Sequence, residues 1–255
     1  MIKFFRHIRK DLMEKNKTGK PAFAAGRYFK YAIGEIILVV IGILIAIQLN
    51  EWRNDSVNAK QKQQVLETLK TDFEVSLTRL DTVYYNQEQS LWKFRKSRDL
   101  IDSINYVTDN TVLKENLAHG GHGHSFNPIN GALRSAISSG DIHLIKNKRL
   151  IELLFSWEDL VVDSYEEIEM LRKYSMETYQ PLIQKYTQVT EIYKNIMRRN
   201  GSHHPSDFVG LFKDPQFENF TQVIIFKSYN YREELKGIRT NNLEIIKLIE
   251  QELKK

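Results

Sequence analysis

Hydrophobic positions are arranged in two different ways along this chain. From Ile36 to Ile47 they form an unbroken run, with Glu35 and Gln48 at its edges. Beyond Trp52 they recur every three or four residues. The first pattern predicts a membrane-spanning helix over residues 31–52. Its apolar core is short for a span, but its flanks lengthen it. Tyr28, Phe29 and Tyr31 stand at one end and Trp52 at the other, as interfacial aromatic residues do. Tyr31 to Trp52 covers about 32 Å at the helical rise, close to the roughly 30 Å of a hydrocarbon core. A buried helix of a soluble protein and a cleaved signal peptide are the competing readings. Hydrophobicity all round the helix disfavours the first, and a long leader without a small-x-small site disfavours the second.

The second pattern predicts amphipathic helices. Leu66, Leu69, Phe73, Leu77, Leu80 and Tyr84 step by threes and fours, and Leu91, Phe94 and Ile101 continue the stripe past interruptions at Gln87 and Arg98. No Pro or Gly occurs between Gly42 and Gly120, so nothing separates this helix from the anchor. Four Gly and a Pro between His119 and Gly131 predict a loop. A short helix over about 129–138 should end at Gly140. A third helix starts near Asn147, with Leu150, Leu154, Trp157, Val161, Tyr165, Ile168 and Leu171 on one face. Pro181 should kink or break it, with Gln180 as the last comfortable helical residue. Helical pattern then resumes through Met197 and stops at Asn200-Gly201. The last helix starts at Asp214-Pro215, a capping residue followed by Pro at the first helical position, and Phe217, Phe220, Ile224, Tyr231, Leu235, Ile238, Ile245, Ile249 and Leu253 carry it to the end. Gln222–Phe226 is the best strand candidate, and it sits inside that helical pattern. The expected fold is all-α, a transmembrane helix followed by an elongated antiparallel bundle of three long helices and one short one. The domains are a leader over 1–30, the span over 31–52 and the bundle over 53–255. In that topology the 119–124 loop lies far from the membrane and the 201–213 loop lies near it.

Charge adds a direction. The chain carries a net charge of +5, yet residues 1–30 alone hold nine Lys or Arg against Asp11 and Glu14. The remaining 225 residues hold 28 basic and 30 acidic groups. A nucleic-acid binder would carry its basic excess on the folded domain, so no nucleic-acid partner is expected. The basic flank places the N-terminus in the cytoplasm and the bundle across the membrane, in the periplasm if the chain sits in a bacterial inner membrane. Phe4, Phe5, Ile8 and Leu12 share one helical face among basic residues, which fits either an interfacial helix or a solvated flank.

Candidate chemistry is sparse. With no Cys, disulfides, thiolate metal sites and thiol catalysis are excluded. His119, His122 and His124 are spaced H-x-x-H-x-H, and imidazoles so grouped are candidate ligands for zinc, copper or nickel. Against this, a Gly-rich loop has a large ordering cost. His203-His204 offers a further pair. Within the span, Glu35 is close enough to the basic flank to reach interfacial water, and Gly34 and Gly42 are too far apart for a close-packing GxxxG face. The acids from Glu158 to Glu169 read as a solvated helix face. No phosphate-binding glycine loop, HExxH or GxSxG occurs, so neither an enzyme nor a cofactor is expected.

Two stretches carry a family resemblance. One is the anchor from Tyr31 through Gly34, Glu35 and Gly42, ending in Asn50-Glu51-Trp52. The other is Phe126-Asn-Pro-Ile-Asn-Gly131 with Ile137-Ser-Ser-Gly140 and Leu144-Ile-Lys-Asn147. Together they resemble a bacterial family of uncharacterised single-pass membrane proteins, a domain of unknown function. The resemblance implies a membrane protein and assigns no activity. It suggests a structural turn at Asn127, Pro128, Gly131 and Gly140. Pro128 restricts Asn127 to extended backbone, and Gly140 permits a positive φ. The leading functional expectation is a membrane-anchored interaction or scaffold protein of the cell envelope. Its partners would be the lipid bilayer and another envelope protein or a second copy of itself. The alternative is a periplasmic sensor or ligand-binding bundle that acts through a partner.

Overall fold

A computed structural model of the chain describes residues 24–107, 109–117, 123–193 and 203–255. They contain helices and no strand, so the chain is all-α among the described residues. The helices are α1 (Ala24–Asp102), α2 (Asn110–Leu117), α3 (Gly131–Ser139), α4 (Lys148–Tyr174), α5 (Gln180–Tyr186), α6 (Val189–Ile192), α7 (Phe208–Lys213) and α8 (Pro215–Leu253). The chain divides into two units, Met1–Lys60 and Gln61–Lys255.

In the first unit, the helix from Tyr31 onward is long and apolar enough to cross a membrane. Every residue from Ile36 to Leu49 is exposed. The reading of this run as the buried helix of a soluble core therefore finds no cover among the described residues. The amphipathic pattern of Phe4, Phe5, Ile8 and Leu12 lies outside the described residues.

The second unit is built on α1, α4 and α8. Leu66, Leu69, Phe73, Leu80, Leu91 and Phe94 of α1 are buried, as the stripe predicts. Its intermediate steps differ. Ser76 rather than Leu77 is buried, and Gln87 lies inside the seam at 1% exposure instead of interrupting it. A strict alternation of three- and four-residue steps selects these positions whatever their polarity. Ion pairs join α1 to α8, from Lys62–Glu252 (2.7 Å) and Lys70–Glu250 (2.8 Å) to Asp81–Arg239 (2.6 Å) and Glu88–Arg232 (3.1 Å). Numbers rise on one helix as they fall on the other, so the two run antiparallel. Arg149–Glu244 at 2.9 Å and the stacking of Tyr174 on Phe220 at 5.5 Å set α4 antiparallel to α8 in the same way.

It follows that α1 and α4 run in the same direction. Phe73 meets Trp157 edge to face at 5.0 Å, while Phe94 and Tyr174 both meet Phe220. The expected alternation up, down, up fails at this step. Two like-directed helices need a return connection, and the chain supplies an extended one over residues 123–130. Seven extended steps at about 3.3 Å span ~23 Å, the length of fifteen helical steps at about 1.5 Å. Its two ends contact Arg172 and Trp157, fifteen residues apart on α4.

The return also corrects the placing of the two loops at opposite ends. The flanking helices α2 and α7 lie together. Lys114 of α2 pairs with Glu191 at 3.3 Å and sits 5.1 Å over the ring of Phe208. Neither α2 nor α7 follows from the sequence stripes. Pro181 is also accommodated rather than terminal. A π turn over Ser175–Tyr179 precedes it, and the Gln180 N–H reaches back to the Ser175 carbonyl. That wider spacing makes room at the carbonyl four residues before the proline ring, and the chain continues as α5. Gln222–Phe226 lies within α8 and is helical.

Helix ends follow local chemistry. Asn147 caps α4 by accepting from the Leu150 N–H at 3.2 Å. Asp214 caps α8 from the Gln216 N–H at 2.8 Å and also accepts from Tyr186 and Lys185. Gly140 ends α3 at φ +80° with no heavy atom within 4 Å of where a Cβ would stand. Replacing it therefore tests backbone conformation alone. Gly140→Ala should lower stability by about 1 kcal/mol, read from the urea midpoint of Trp fluorescence, and Gly140→Asn should cost less. Equal midpoints for all three chains would refute this account.

Candidate interaction site

An extended segment inside a helical unit has no neighbouring strand to satisfy its backbone, so side chains must do so. Over residues 123–130 they come from all three long helices. Arg172 of α4 donates to the Gly123 carbonyl at 3.1 Å. Tyr231 of α8 donates its hydroxyl to the His124 carbonyl at 2.7 Å. Arg79 of α1 donates to the Asn127 carbonyl at 3.1 Å. Ser76 accepts from the Ile129 N–H at 2.8 Å, and Asp72 accepts from the Ala132 N–H at 2.8 Å just beyond.

Side chains of the segment point back as well. Phe126 is buried against Trp157, with ring centres 6.2 Å apart. Trp157 donates its indole N–H to Asn130 at 3.0 Å. Tyr165 donates to the Asn127 amide oxygen. Together these contacts form a strap laid along the helices.

The predicted turn residues divide between the strap and its exit. Asn127 and Pro128 lie within the strap, with Asn127 exposed. Gly131 opens α3, where an added Cβ would stand 3.8 Å from the Asp72 carboxylate. Gly140 closes the same helix. They are not one cluster but successive points on one path. The sequence stripes missed Asp72, Ser76, Arg79 and Arg172, and they held Tyr231 only as a core position. Ser76 alone carried a signal, as a polar residue at a seam position.

Of the candidate metal ligands, His119 and His122 lie outside the described residues. His124 belongs to the strap, through its backbone carbonyl. Among the described residues no group of three His, Asp or Glu could hold a metal ion. Of the anchor residues, Tyr31, Glu35 and Trp52 are exposed, and Gly34 and Gly42 have nothing within 4 Å of an added Cβ.

Beside the strap lies an acidic face. Burial first, and the charges of Glu167 and Asp163 next, raise the Glu234 carboxyl to about 7. Burial likewise pushes the Tyr231 phenol up, so it remains the neutral donor that the His124 carbonyl needs. The Asp214 carboxyl is held below its ordinary value, chiefly by the Gln216 N–H.

A family model for a family of unknown function, DUF6090, matches residues 35–191. The chain belongs to DUF6090. No curated protein matches it. No solved structure matches it. The DUF6090 match takes in α1 from Glu35, the strap, α4 and the segment through α6, and it stops before α7 and α8. Thus α8, which supplies Tyr231 to the strap and four ion pairs to α1, lies beyond the matched residues.

Two outcomes follow from the strap and its acidic neighbour. Ser76→Ala should cost about 1–3 kcal/mol, because it leaves the Ile129 N–H without its acceptor. Ser138→Ala, on the exposed side of α3, should fall within about 0.5 kcal/mol of the parent. Equal losses in urea unfolding would remove the strap's claim. For Glu234 the folded carboxyl titrates above its unfolded value of 4.5. Its contribution is therefore intact below pH 4.5 and lost as the pH rises through about 7. Glu234→Gln should stabilise the chain at pH 8 by about 1 kcal/mol, after discounting for the solvent-exposed part of the side chain. It should change little at pH 4.5. Melting curves of both chains at the two pH values check the sign.

Proposed function

We propose that this chain is a membrane-anchored helical interaction protein of the bacterial cell envelope, acting by binding rather than by catalysis. The supporting observation is the uncovered run from Ile36 to Leu49. Fourteen consecutive residues, all but Gly42 and Gln48 large or apolar, are exposed on every side of one helix. Such a surface needs an apolar medium. The aromatic residues at Tyr31 and Trp52 are spaced for a bilayer, and the nine basic residues before the run set the N-terminus in the cytoplasm.

The second unit then lies in the periplasm as the part that meets partners. Its core is self-contained, and the surface ion pairs along α8 leave it well solvated. The chain's share of the work, on this reading, is to hold a helical surface at the membrane.

Three measurements test it. After an alkaline carbonate wash the full chain should stay in the membrane pellet, and a chain with Ile41→Arg and Leu44→Arg should move to the supernatant. Since the chain has no Cys, a single Asp159→Cys reports topology directly. A membrane-impermeant maleimide should label it from the periplasmic face of intact spheroplasts. Labelling only after lysis would reverse the orientation. Gentle solubilisation should recover a stoichiometric protein partner or a second copy. A monomer whose melting temperature rises on binding a small molecule would favour the sensor alternative instead.

A further inference from the structure

The outer face of α1 carries a second heptad pattern, distinct from the seam that packs into its own unit. Gln64, Thr68, Thr71, Val75, Thr78, Thr82, Tyr85, Gln89 and Trp92 alternate steps of four and three. All nine are exposed, Tyr85 at 63% and Trp92 at 54%. None is charged, although one flank is acidic throughout and the other carries Asp72, Arg79 and Lys93. At about 1.5 Å per residue the run is ~42 Å long.

The polar content of this face is turned inward. Each of its four threonines donates its hydroxyl to the carbonyl four residues earlier: Thr68 to Gln64 at 2.8 Å, Thr71 to Glu67 at 3.0 Å, Thr78 to Glu74 at 3.1 Å and Thr82 to Thr78 at 3.0 Å. With the hydroxyls satisfied on the helix, the γ-methyls are left to face outward. A stripe that reads as polar in sequence thus presents methyl groups, Val75 and two aromatic rings. Heptad spacing is the geometry by which one helix seam packs against another.

We infer that this face binds a second copy of the same chain, as a parallel two-stranded contact between the α1 helices. This rests on the proposed interaction role and names its partner. The charges beside the seam select both the copy and the direction. One flank is acidic throughout, Glu67, Glu74, Asp81 and Glu88. The other flank reads Val65, Asp72, Arg79, Asn86 and Lys93, of which Arg79 also donates to the Asn127 carbonyl. In a parallel pair each acidic position meets the position five residues on in its partner. That sets Glu74 against Arg79 and Glu88 against Lys93, twice over by symmetry. An antiparallel pair would set the acidic flank against itself. Glu67 against Asp72 is the one like-charged parallel contact, and Asp72 is turned toward the Ala132 N–H. Glu88 keeps its ion pair with Arg232, so the added cation extends an existing cluster. A seam of Thr and Gln is weak in free solution. Two copies held in one bilayer meet at high effective concentration, which offsets that weakness.

Single cysteines in the otherwise Cys-free full chain test this in native membranes under mild oxidation. Gln64→Cys, Val75→Cys and Trp92→Cys should each give a disulfide-linked dimer. Asp159→Cys on α4 and Gln222→Cys on α8, both exposed, should give at least tenfold less. Adding Thr78→Lys with Thr82→Lys should cut the Val75→Cys product at least tenfold while leaving the far-ultraviolet helical signal unchanged. Equal linking at the control sites would mean random collision and overturn the inference. So would no linking at the seam sites, or linking of Gln64→Cys only to Trp92→Cys in a mixed preparation, which marks an antiparallel pair. Carbonate-washed pellets from the same samples separate the two readings. Retention without seam linking overturns self-association alone, and release with seam linking overturns the anchor alone.

Discussion

The arrangement of the second unit depends on how one extended segment has its backbone satisfied. Residues 123–130 have no strand beside them, and each peptide group they bury needs a donor or acceptor from a side chain. Ser76 and Arg79 of α1, Arg172 of α4 and Tyr231 of α8 provide these, while Trp157 and Tyr165 of α4 hold the side chains of Asn130 and Asn127. Because the contributions come from three helices, the strap fixes their mutual register as well as its own path. An apolar seam tolerates sliding by small amounts. A set of directed hydrogen bonds does not, since each mispaired group carries its own desolvation penalty.

The strap also accounts for the direction of α4. A helical return of the same length would need about fifteen residues. Extended backbone covers the distance in half as many residues, so the next helix can start again from the other end and run alongside α1. One consequence is that α8 faces both like-directed helices in the antiparallel sense. Its ion pairs with Lys62, Lys70, Asp81 and Glu88 follow from that placement.

Periodicity made the helices legible and left the connections unreadable. The stripes through Leu66 to Phe94, Leu150 to Leu171 and Phe217 to Ile249 identify the buried faces because burial is set by angular position on a helix. The caps at Asn147, Asp214 and Gly140 were readable because they are local. Direction was not, since an amphipathic face looks the same whichever way its neighbour runs. The strap was hidden for a different reason. Its partners are polar residues scattered over 150 positions, and no spacing rule links Ser76 to Ile129 or Tyr231 to His124. Pro181 marked the irregular turn but not its form, because a proline's demand on the preceding turn can be met by a wider turn as well as by a break. The candidate site divided the same way. The long apolar run between Tyr31 and Trp52 was visible as composition, whereas the predicted metal group divides between the strap and positions outside the described residues.

On the proposed self-association, the inner and outer faces of α1 give one helix two tasks. Its inner positions include Ser76, Gln87, Ser90 and Ser97, and its outer positions include four threonines. Hydropathy alone would rank both faces as mediocre. On the inner face Ser76 takes up a backbone group of the strap, and on the outer face the threonine hydroxyls are consumed by the helix itself. The same polar atoms therefore have opposite consequences according to where their hydrogen bonds go. Inside, they specify one chain path. Outside, they leave a surface of methyl groups bordered by charges, suited to a partner that carries the same surface.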